Sequence, residues 1–157
     1  MKKVVSLLLV IVMLACMFTL SACAGSKTQK EEEFYNEVDL TRTLLDLVAD
    51  DIYEYWYECI YEDKYREDIS YAVSCALSDN EATIDLIEDN TIKIKELYKE
   101  VKDGKLGDEC KAVMQAYNDY YALVVEVSGS FKSYSANKET CKKELSTALK
   151  NLSFEFD

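Results

Sequence analysis

Apolar residues recur every three or four positions through most of this chain, and no proline interrupts them. Residues three and four apart share one face of an α-helix, so this spacing predicts long amphipathic helices. Only three glycines follow Gly25, and this scarcity of proline and glycine argues against a turn-rich all-β fold. The first helix has the longest apolar stripe, which comprises Phe34, Val38, Thr41, Leu45, Val48, Ile52, Tyr55 or Trp56, and Cys59.

Polar residues on the apolar face mark the first helix boundaries. Asp63 and Arg66 fall where the first stripe would continue, so we expect that helix to end or bend near residues 62–66. A shorter second helix resumes the periodicity at Ile69. The run Ser78-Asp79-Asn80-Glu81 matches a capping box, which predicts that a third helix starts there.

Two glycine-containing segments separate the later helices. Asp103 to Asp108 predicts a turn after the third helix. Ser128-Gly129-Ser130 is expected to weaken or kink the fourth helix, and Ser135 to Asn137 to turn the chain into the last one. Each amphipathic helix must bury its stripe against others, so the sequence predicts an all-α fold, an antiparallel helical bundle of four to five helices.

The first residues have the organisation of a secretory signal. Met1, Lys2 and Lys3 give a positive start, and Val4 to Leu20 is almost wholly apolar. A positive segment, an apolar segment and small residues before a cleavage site are the three parts of such a signal. An uncleaved membrane span is the alternative, because about 17–25 apolar residues can cross a bilayer.

Leu20-Ser21-Ala22-Cys23 resembles the lipobox of bacterial lipoprotein precursors. The resemblance implies cleavage before Cys23 and a diacylglyceryl group on its sulfur, which would hold the protein on the extracytoplasmic face of the cell membrane. Residues 1–22 are then the lipoprotein signal peptide, 23–30 the lipidated N-terminus with a flexible tether, and 31–157 the helical bundle domain. Small helical surface lipoproteins of low-G+C Gram-positive bacteria are similar in style. A signal cysteine without lipidation is the other alternative.

Charge and composition exclude several functions. Removing residues 1–22 takes away Lys2 and Lys3, so the formal charge falls from −12 to −14. An acidic domain of this kind does not suit nucleic-acid phosphates, so no nucleic-acid partner is expected. Histidine is absent, which removes the commonest general base and metal ligand. We therefore expect no enzyme activity, no metal and no cofactor.

Four cysteines follow the one in the lipobox: Cys59, Cys75, Cys110 and Cys141. Export would place them where disulfides persist, and four cysteines allow three complete pairings. None of them forms a Cys-x-x-Cys pair, as redox and zinc sites do. Each lies on or beside an apolar stripe, so buried thiols and disulfides both remain open.

Tyrosines and carboxylates give the remaining candidates for a site. Tyr53, Tyr57, Tyr61 and Tyr65 step by four along the first helix, which predicts a binding surface for a partner protein, a peptide or a glycan ring. Packing of a central helix against neighbours on two sides would also explain them. The carboxylates Asp46, Asp50, Glu54, Glu58 and Glu62 also step by four and predict a solvated ridge.

Adjacent carboxylates could also bind calcium, although no Asp-x-Asp-x-Asn-Gly loop exists. The two adjacent pairs are Asp50-Asp51 and Glu62-Asp63. We expect a solvated acidic surface at both pairs instead. Our leading expectation for function is a non-catalytic binding or interaction module that contacts the membrane through its lipid and an envelope or surface protein through its helices. The alternative is a small-ligand-binding domain with a tyrosine-lined groove between helices.

Overall fold

The computed structural model describes residues 27–65 and 68–156. Five α-helices and no strand occur in this part of the chain. They are α1 (Lys27–Tyr61), α2 (Ile69–Asp79), α3 (Glu81–Val101), α4 (Gly107–Val125) and α5 (Phe131–Ser153). The predicted all-α helical bundle is confirmed, with five helices.

Helix α1 carries the long apolar stripe and is the centre of the bundle. Its 35 residues extend for about 52 Å at the helical rise per residue. Phe34, Val38 and Ile52 are completely buried. The helix ends at Tyr61, next to the polar interruption that predicted its end. Asp63 follows with φ 52°, a left-handed conformation in which a helix cannot continue.

The start of α1 corrects one expectation. Residues 27–30 were assigned to the flexible tether but form the first turn of α1. Lys30 pairs with Glu100 of α3, and Glu31 is 3% exposed with its carboxylate accepting a hydrogen bond from the Leu106 N–H. This turn is therefore ordered by contacts with distant residues, which its own polar sequence does not indicate. Residues 1–26, with the signal peptide and Cys23, lie outside the described part.

Contacts along α1 give the direction of α2 and α3. Phe34 packs on Tyr98, with ring centroids 6.0 Å apart, and Glu37 accepts from Lys93, so α3 runs antiparallel to α1. The α2 helix is also antiparallel, because Asp79 at its end meets Tyr55 of α1.

The last two helices run in opposite directions along α1. Tyr53 contacts Phe131 at the start of α5, and Tyr35 contacts Phe156 beyond its end, so α5 is antiparallel to α1. Helix α4 is parallel to α1, since Glu31 meets the residue before α4 and Asp46 meets Tyr120. Sequential helices are therefore antiparallel, as predicted, except α2 and α3, which run in the same direction along α1.

The junction of α2 and α3 differs from the predicted capping box. Ser78 lies inside α2, and Asn80 is the single residue between the two helices. The Asn80 amide donates to the Ala76 carbonyl at 2.9 Å and to the Asp51 carboxylate at 3.1 Å. Because this second bond joins the junction to α1, a tertiary contact decides the boundary.

The last helix begins earlier than predicted. Helix α4 ends at Val125, and α5 starts at Phe131 instead of after residues 135–137. Gly129 has φ +88°, which glycine adopts without steric cost. Ser130 caps α5, because its Oγ accepts from the Ser133 N–H while the Ser133 Oγ accepts from the Ser130 N–H.

Buried tyrosines fill the core between the helices. Tyr117, Tyr120 and Tyr134 are completely buried, and Trp56 is 3% exposed, as expected for an interior residue. The hydroxyls of the three tyrosines all have partners: Tyr117 bonds with Thr91 at 2.6 Å, Tyr120 donates to Asp46 at 2.7 Å, and Tyr134 donates to a backbone carbonyl at 3.3 Å. The hydroxyls of these three tyrosines are thereby satisfied inside the core.

Candidate interaction surface

Three of the four predicted tyrosines form one continuous surface. Tyr53, Tyr57 and Tyr61 lie on successive turns of α1, beside the stripe that faces the core. Their ring centroids are 6.2 Å apart for the first pair and 4.7 Å for the second. Each ring also contacts Phe131 of α5, at 5.0, 6.3 and 6.0 Å. We call Tyr53, Tyr57, Tyr61 and Phe131 the aromatic ladder.

The fourth tyrosine belongs to a different group. Tyr65 lies after α1 with φ 56°, so the chain has already left the helix that would have continued the series. Its ring stacks on Tyr55 at 5.1 Å, and its hydroxyl donates to Glu58 at 3.0 Å. The predicted four-residue surface is therefore divided, because the helix ends before Tyr65.

The ladder is more exposed towards the end of α1. Tyr53 and Phe131 are half-buried, whereas Tyr57 is 41% and Tyr61 61% exposed. Ile60 beside them is 39% exposed. Together these side chains form an apolar patch bordered by the exposed Glu54. A compact patch of exposed aromatic side chains is typical of an interaction surface.

Trp56 and Lys138 pack against the buried side of the ladder. Trp56 lies beneath it, with its ring 6.2 Å from Phe131 and 5.6 Å from Tyr134. The Trp56 indole N–H has no hydrogen-bond acceptor. Lys138 of α5 lies 4.4 Å from the Tyr53 ring centroid, and its ammonium group donates to Asp50 at 2.7 Å. This cation–π contact and ion pair fix the buried end of the surface.

Two carboxylates of the predicted acidic ridge pair with lysines of another helix, although Asp50 is still exposed to solvent. Asp46 accepts from the Tyr120 hydroxyl and pairs with Lys142 of α5 at 3.4 Å. Asp50 pairs with Lys138, one turn earlier in α5. The match of Asp46 and Asp50 with two lysines four residues apart joins α1 to α5. Glu54 and Glu62 remain exposed, as the ridge predicted.

The adjacent carboxylates that were considered as alternative calcium ligands do not converge. Asp50 bonds with α5, whereas Asp51 bonds with Asn80 on the other side of α1. Glu62 pairs with Lys64 at 3.1 Å. Within residues 27–65 and 68–156, no three cysteine or carboxylate side chains are placed to hold a metal ion.

Burial keeps the core tyrosines and two of the thiols neutral. It raises the pKa of Tyr117 to about 12, and it raises the pKa of Cys110 to about 12. Burial and the hydrogen bond to Asp46 raise the pKa of Tyr120 well above its ordinary value. An activated nucleophile needs the opposite shift, so these groups are suited to packing.

A polar pocket of about 360 Å³ lies elsewhere, between α1 and α5. Its lining comprises Tyr35, Asp39, Arg42, Ser146, Leu149, Lys150 and Ser153. Arg42 is already paired with Asp39 at 2.9 Å and with Asp46 at 3.7 Å. The guanidinium that would attract an anion is thus compensated, and the ladder tyrosines are not part of this lining.

Some sequence predictions cannot be placed on this structure. Cys23 and the apolar segment Val4 to Leu20 lie outside the described residues. Among the helices of residues 27–65 and 68–156, none combines the length and the apolarity required to cross a bilayer. The comparisons with known proteins add no further evidence: no protein-family model, no curated protein and no solved structure matches the chain.

Sequence reasoning missed two contributors to the surface. Because the turn into the last helix was expected at residues 135–137, Phe131 was not assigned to that helix, but it begins α5 and touches every tyrosine of the ladder. Lys138 carried no signal, because lysines at 138, 142 and 143 look alike in a polar helix face. Its separate role depends on its position opposite Asp50.

Proposed function

We propose that this chain is a lipid-anchored extracytoplasmic lipoprotein whose helical bundle is a non-catalytic interaction module. The anchor part rests on the lipobox at Cys23, and the module part on the aromatic ladder. The exposed, contiguous rings of Tyr57 and Tyr61 are the observation that carries it. An envelope or surface protein is the partner that these side chains suit best.

The arrangement of the rings favours a protein over a glycan. Glycan recognition by tyrosine uses a free ring face, on which a sugar ring can lie. In the ladder, Tyr53 and Tyr57 stack on each other and Tyr57 also packs against Tyr61, so their faces are partly occupied. Tyrosine combines an apolar ring with a polar hydroxyl, which suits the mixed apolar and polar contacts of a protein interface.

The acidic charge near the ladder indicates which kind of partner surface would bind there. The chain has a formal charge of −12, and Glu54, Glu62 and Asp63 are exposed near the ladder. A partner surface with an apolar centre and basic residues around it would match this arrangement, and opposite charges would speed association. The same acidic charge opposes contact with anionic lipid head groups, so only the acyl chains would hold the domain at the membrane.

Site-specific photo-crosslinking in the native envelope tests the proposed module. A photoreactive amino acid replaces Tyr61 in one full-length variant and Ile92 in another, because Ile92 is 60% exposed but lies on α3. We expect one protein to be cross-linked from position 61 and not from position 92, and to be lost when Tyr57→Ser is added. Equal cross-linking from both positions, or a cross-linked glycan, would contradict a protein-binding ladder.

Mass spectrometry tests the proposed anchor separately. The membrane fraction should contain a chain that begins at Cys23 with a diacylglyceryl group, and Cys23→Ala should abolish this modification. A chain that retains Met1 would contradict the anchor while leaving the module untouched.

A further inference from the structure

The four cysteines at 59, 75, 110 and 141 are all thiols in this structure, and the sequence leaves three complete pairings open. The packing of the helices distinguishes between these three pairings. We infer that Cys59 and Cys75 are the pair that forms a disulfide under oxidising conditions, joining α2 to α1, and that Cys110 and Cys141 stay reduced.

Two contacts give the alignment of α1 with α2. The Tyr55 hydroxyl donates to the Asp79 carboxylate, and the Asn80 amide donates to Asp51. Cys59 lies four residues after Tyr55, and Cys75 lies four residues before Asp79. In two antiparallel helices these steps move one turn in the same direction along the axis. The two cysteines are therefore level with each other on facing sides of the helix pair.

The α2 side of this interface allows close approach. Ala72 and Ala76, on either side of Cys75, are completely buried, so small side chains separate the helices there. Cys59 is 3% exposed and Cys75 is half-buried, which places Cys59 inside the interface and Cys75 at its edge. A disulfide requires Cα atoms within about 7 Å, and such small neighbours make this spacing accessible.

Tyr65 provides a third, independent connection between the two cysteines. Its hydroxyl donates at 3.0 Å to Glu58, which precedes Cys59. Burial and this hydrogen bond raise the pKa of Tyr65 to about 12, and the Cys75 thiol contributes a smaller part of the same rise. The Tyr65 side chain thus lies near Cys75 and contacts the residue that precedes Cys59.

Every other pairing is excluded by distance. Cys110 lies one turn after Leu106, whose N–H meets Glu31, so in the parallel α4 it is about 36 Å along α1 from Cys59. The pairs Lys138–Asp50 and Lys142–Asp46 place Cys141 level with residue 47, about 18 Å from Cys59.

The pair Cys110 and Cys141 is excluded by the same reasoning. Cys141 lies near Asp119 of α4. Burial raises the pKa of the Cys141 thiol, and the negative charge of Asp119 raises it further. Cys110 is nine residues before Asp119, so the two thiols are separated by about 13 Å along the helix axis. None of these separations between cysteines allows a disulfide to form without unfolding.

The reaction needs a disulfide oxidant, for which oxidised glutathione serves as the probe. The accessible Cys75 thiolate attacks one glutathione sulfur, forming a mixed disulfide and releasing one glutathione thiol. The Cys59 thiolate then attacks the Cys75 Sγ, forming the Cys59–Cys75 bond and releasing the second glutathione. The protein loses two electrons and two protons, and one oxidised glutathione becomes two thiols. The pairing follows from the fold, whereas its formation in the cell rests on the proposed extracytoplasmic location.

Peptide mapping of the full chain tests this pairing. The protein is purified reduced in detergent, treated with oxidised glutathione, alkylated and digested with trypsin. The sequence places Cys59 in the peptide from Thr43 to Lys64 and Cys75 in the peptide from Glu67 to Lys93. We expect these two peptides to be disulfide-linked, while the peptides with Cys110 and Cys141 are alkylated.

Matched variants sharpen the test. Cys75→Ser should abolish the linked peptide, and Cys141→Ser should leave its yield unchanged. Alkylation of both Cys59 and Cys75 in oxidised wild-type protein, or a dominant link to Cys110 or Cys141, would overturn the inference. In cells, alkylated thiols combined with efficient linkage in the purified chain would contradict the proposed location and leave the pairing intact.

Discussion

Lys138 and Asp50 form an ion pair whose two members have very different environments. The Nζ of Lys138 lies 2.7 Å from the Asp50 carboxylate, with the lysine side chain 9% exposed and the aspartate side chain 55% exposed. Lys138 also lies against the Tyr53 ring. The pair therefore connects the charged α1–α5 interface with the base of the aromatic ladder.

This asymmetry predicts unequal effects of removing either partner. Asp50→Asn leaves the buried ammonium with only the more distant carboxylate of Glu139, 3.7 Å away, and should lower the free energy of unfolding by about 2 kcal/mol. Lys138→Met leaves an exposed carboxylate that water can solvate, so the loss should stay below about 1 kcal/mol. Urea denaturation of both single variants and the double variant measures these values. A larger loss for Lys138→Met would contradict the assigned burial.

The hydrogen bond from Tyr120 to Asp46 predicts that loss of this hydroxyl lowers stability more than loss of the Tyr117 hydroxyl. Tyr120→Phe removes a buried hydroxyl that donates at 2.7 Å to a carboxylate, so we expect a loss of about 2 kcal/mol. Tyr117→Phe is the control, with a loss of about 1 kcal/mol, because its neutral partner Thr91 still donates to the Ile87 carbonyl. Equal losses in urea denaturation would indicate that the charge of Asp46 adds nothing.

Buried tyrosines predict unfolding at alkaline pH. Burial raises the pKa of Tyr117 from 10.0 to about 12, and the pKa values of Tyr120 and Tyr134 rise further. A raised pKa means that the folded state keeps a proton that the unfolded chain loses. The stabilisation is therefore complete below pH 10 and is lost as the pH rises, at about 1.4 kcal/mol per pH unit for each tyrosine.

Tyrosinate absorbance together with circular dichroism checks this dependence. Tyr117, Tyr120 and Tyr134 should ionise only when the helices unfold. The Tyr120→Phe variant should show a weaker decline of stability above pH 10. Ionisation of all twelve tyrosines while the helices remain folded would contradict the burial of the three core rings.

The contacts of Phe131 predict that it contributes more to stability than the exposed rings of the ladder. Phe131→Ala removes contacts with Trp56 and all three ladder tyrosines and should cost about 2 kcal/mol. Tyr61→Ser removes a mostly exposed ring and should change stability by less than about 0.5 kcal/mol. Trp56 is the single tryptophan, so its fluorescence reports on the ladder. A red shift is expected for Phe131→Ala and none for Tyr61→Ser; the reverse would contradict the packing.

The inferred disulfide predicts a more stable oxidised protein. A bond between Cys59 and Cys75 restricts the unfolded chain over a loop of about 15 residues, which typically contributes about 3 kcal/mol. The oxidised chain should therefore melt at a higher temperature than the reduced chain, and Cys75→Ser should abolish the difference. An unchanged or lower melting temperature after confirmed linkage would indicate strain between α1 and α2.

The sequence by itself determined the helical class and most helix positions. Apolar spacing is a local property, so the stripe from Phe34 to Cys59 and the polar interruption at Asp63 were sufficient to predict α1 and its end. The same spacing predicted that either Tyr55 or Trp56 would be inside, and Trp56 is the one that is buried. No distant contact was needed for these conclusions.

Tertiary structure decided which helix covers each remaining face of α1. Asp46 and Asp50 have the same four-residue spacing as exposed Glu54, yet two lysines of α5 lie opposite them. Tyr65 has the spacing of the ladder but lies beyond the end of the helix. Pairings of this kind, including Cys59 with Cys75, depend on the alignment of two helices, because periodicity defines a face and the packed partner defines what that face contacts.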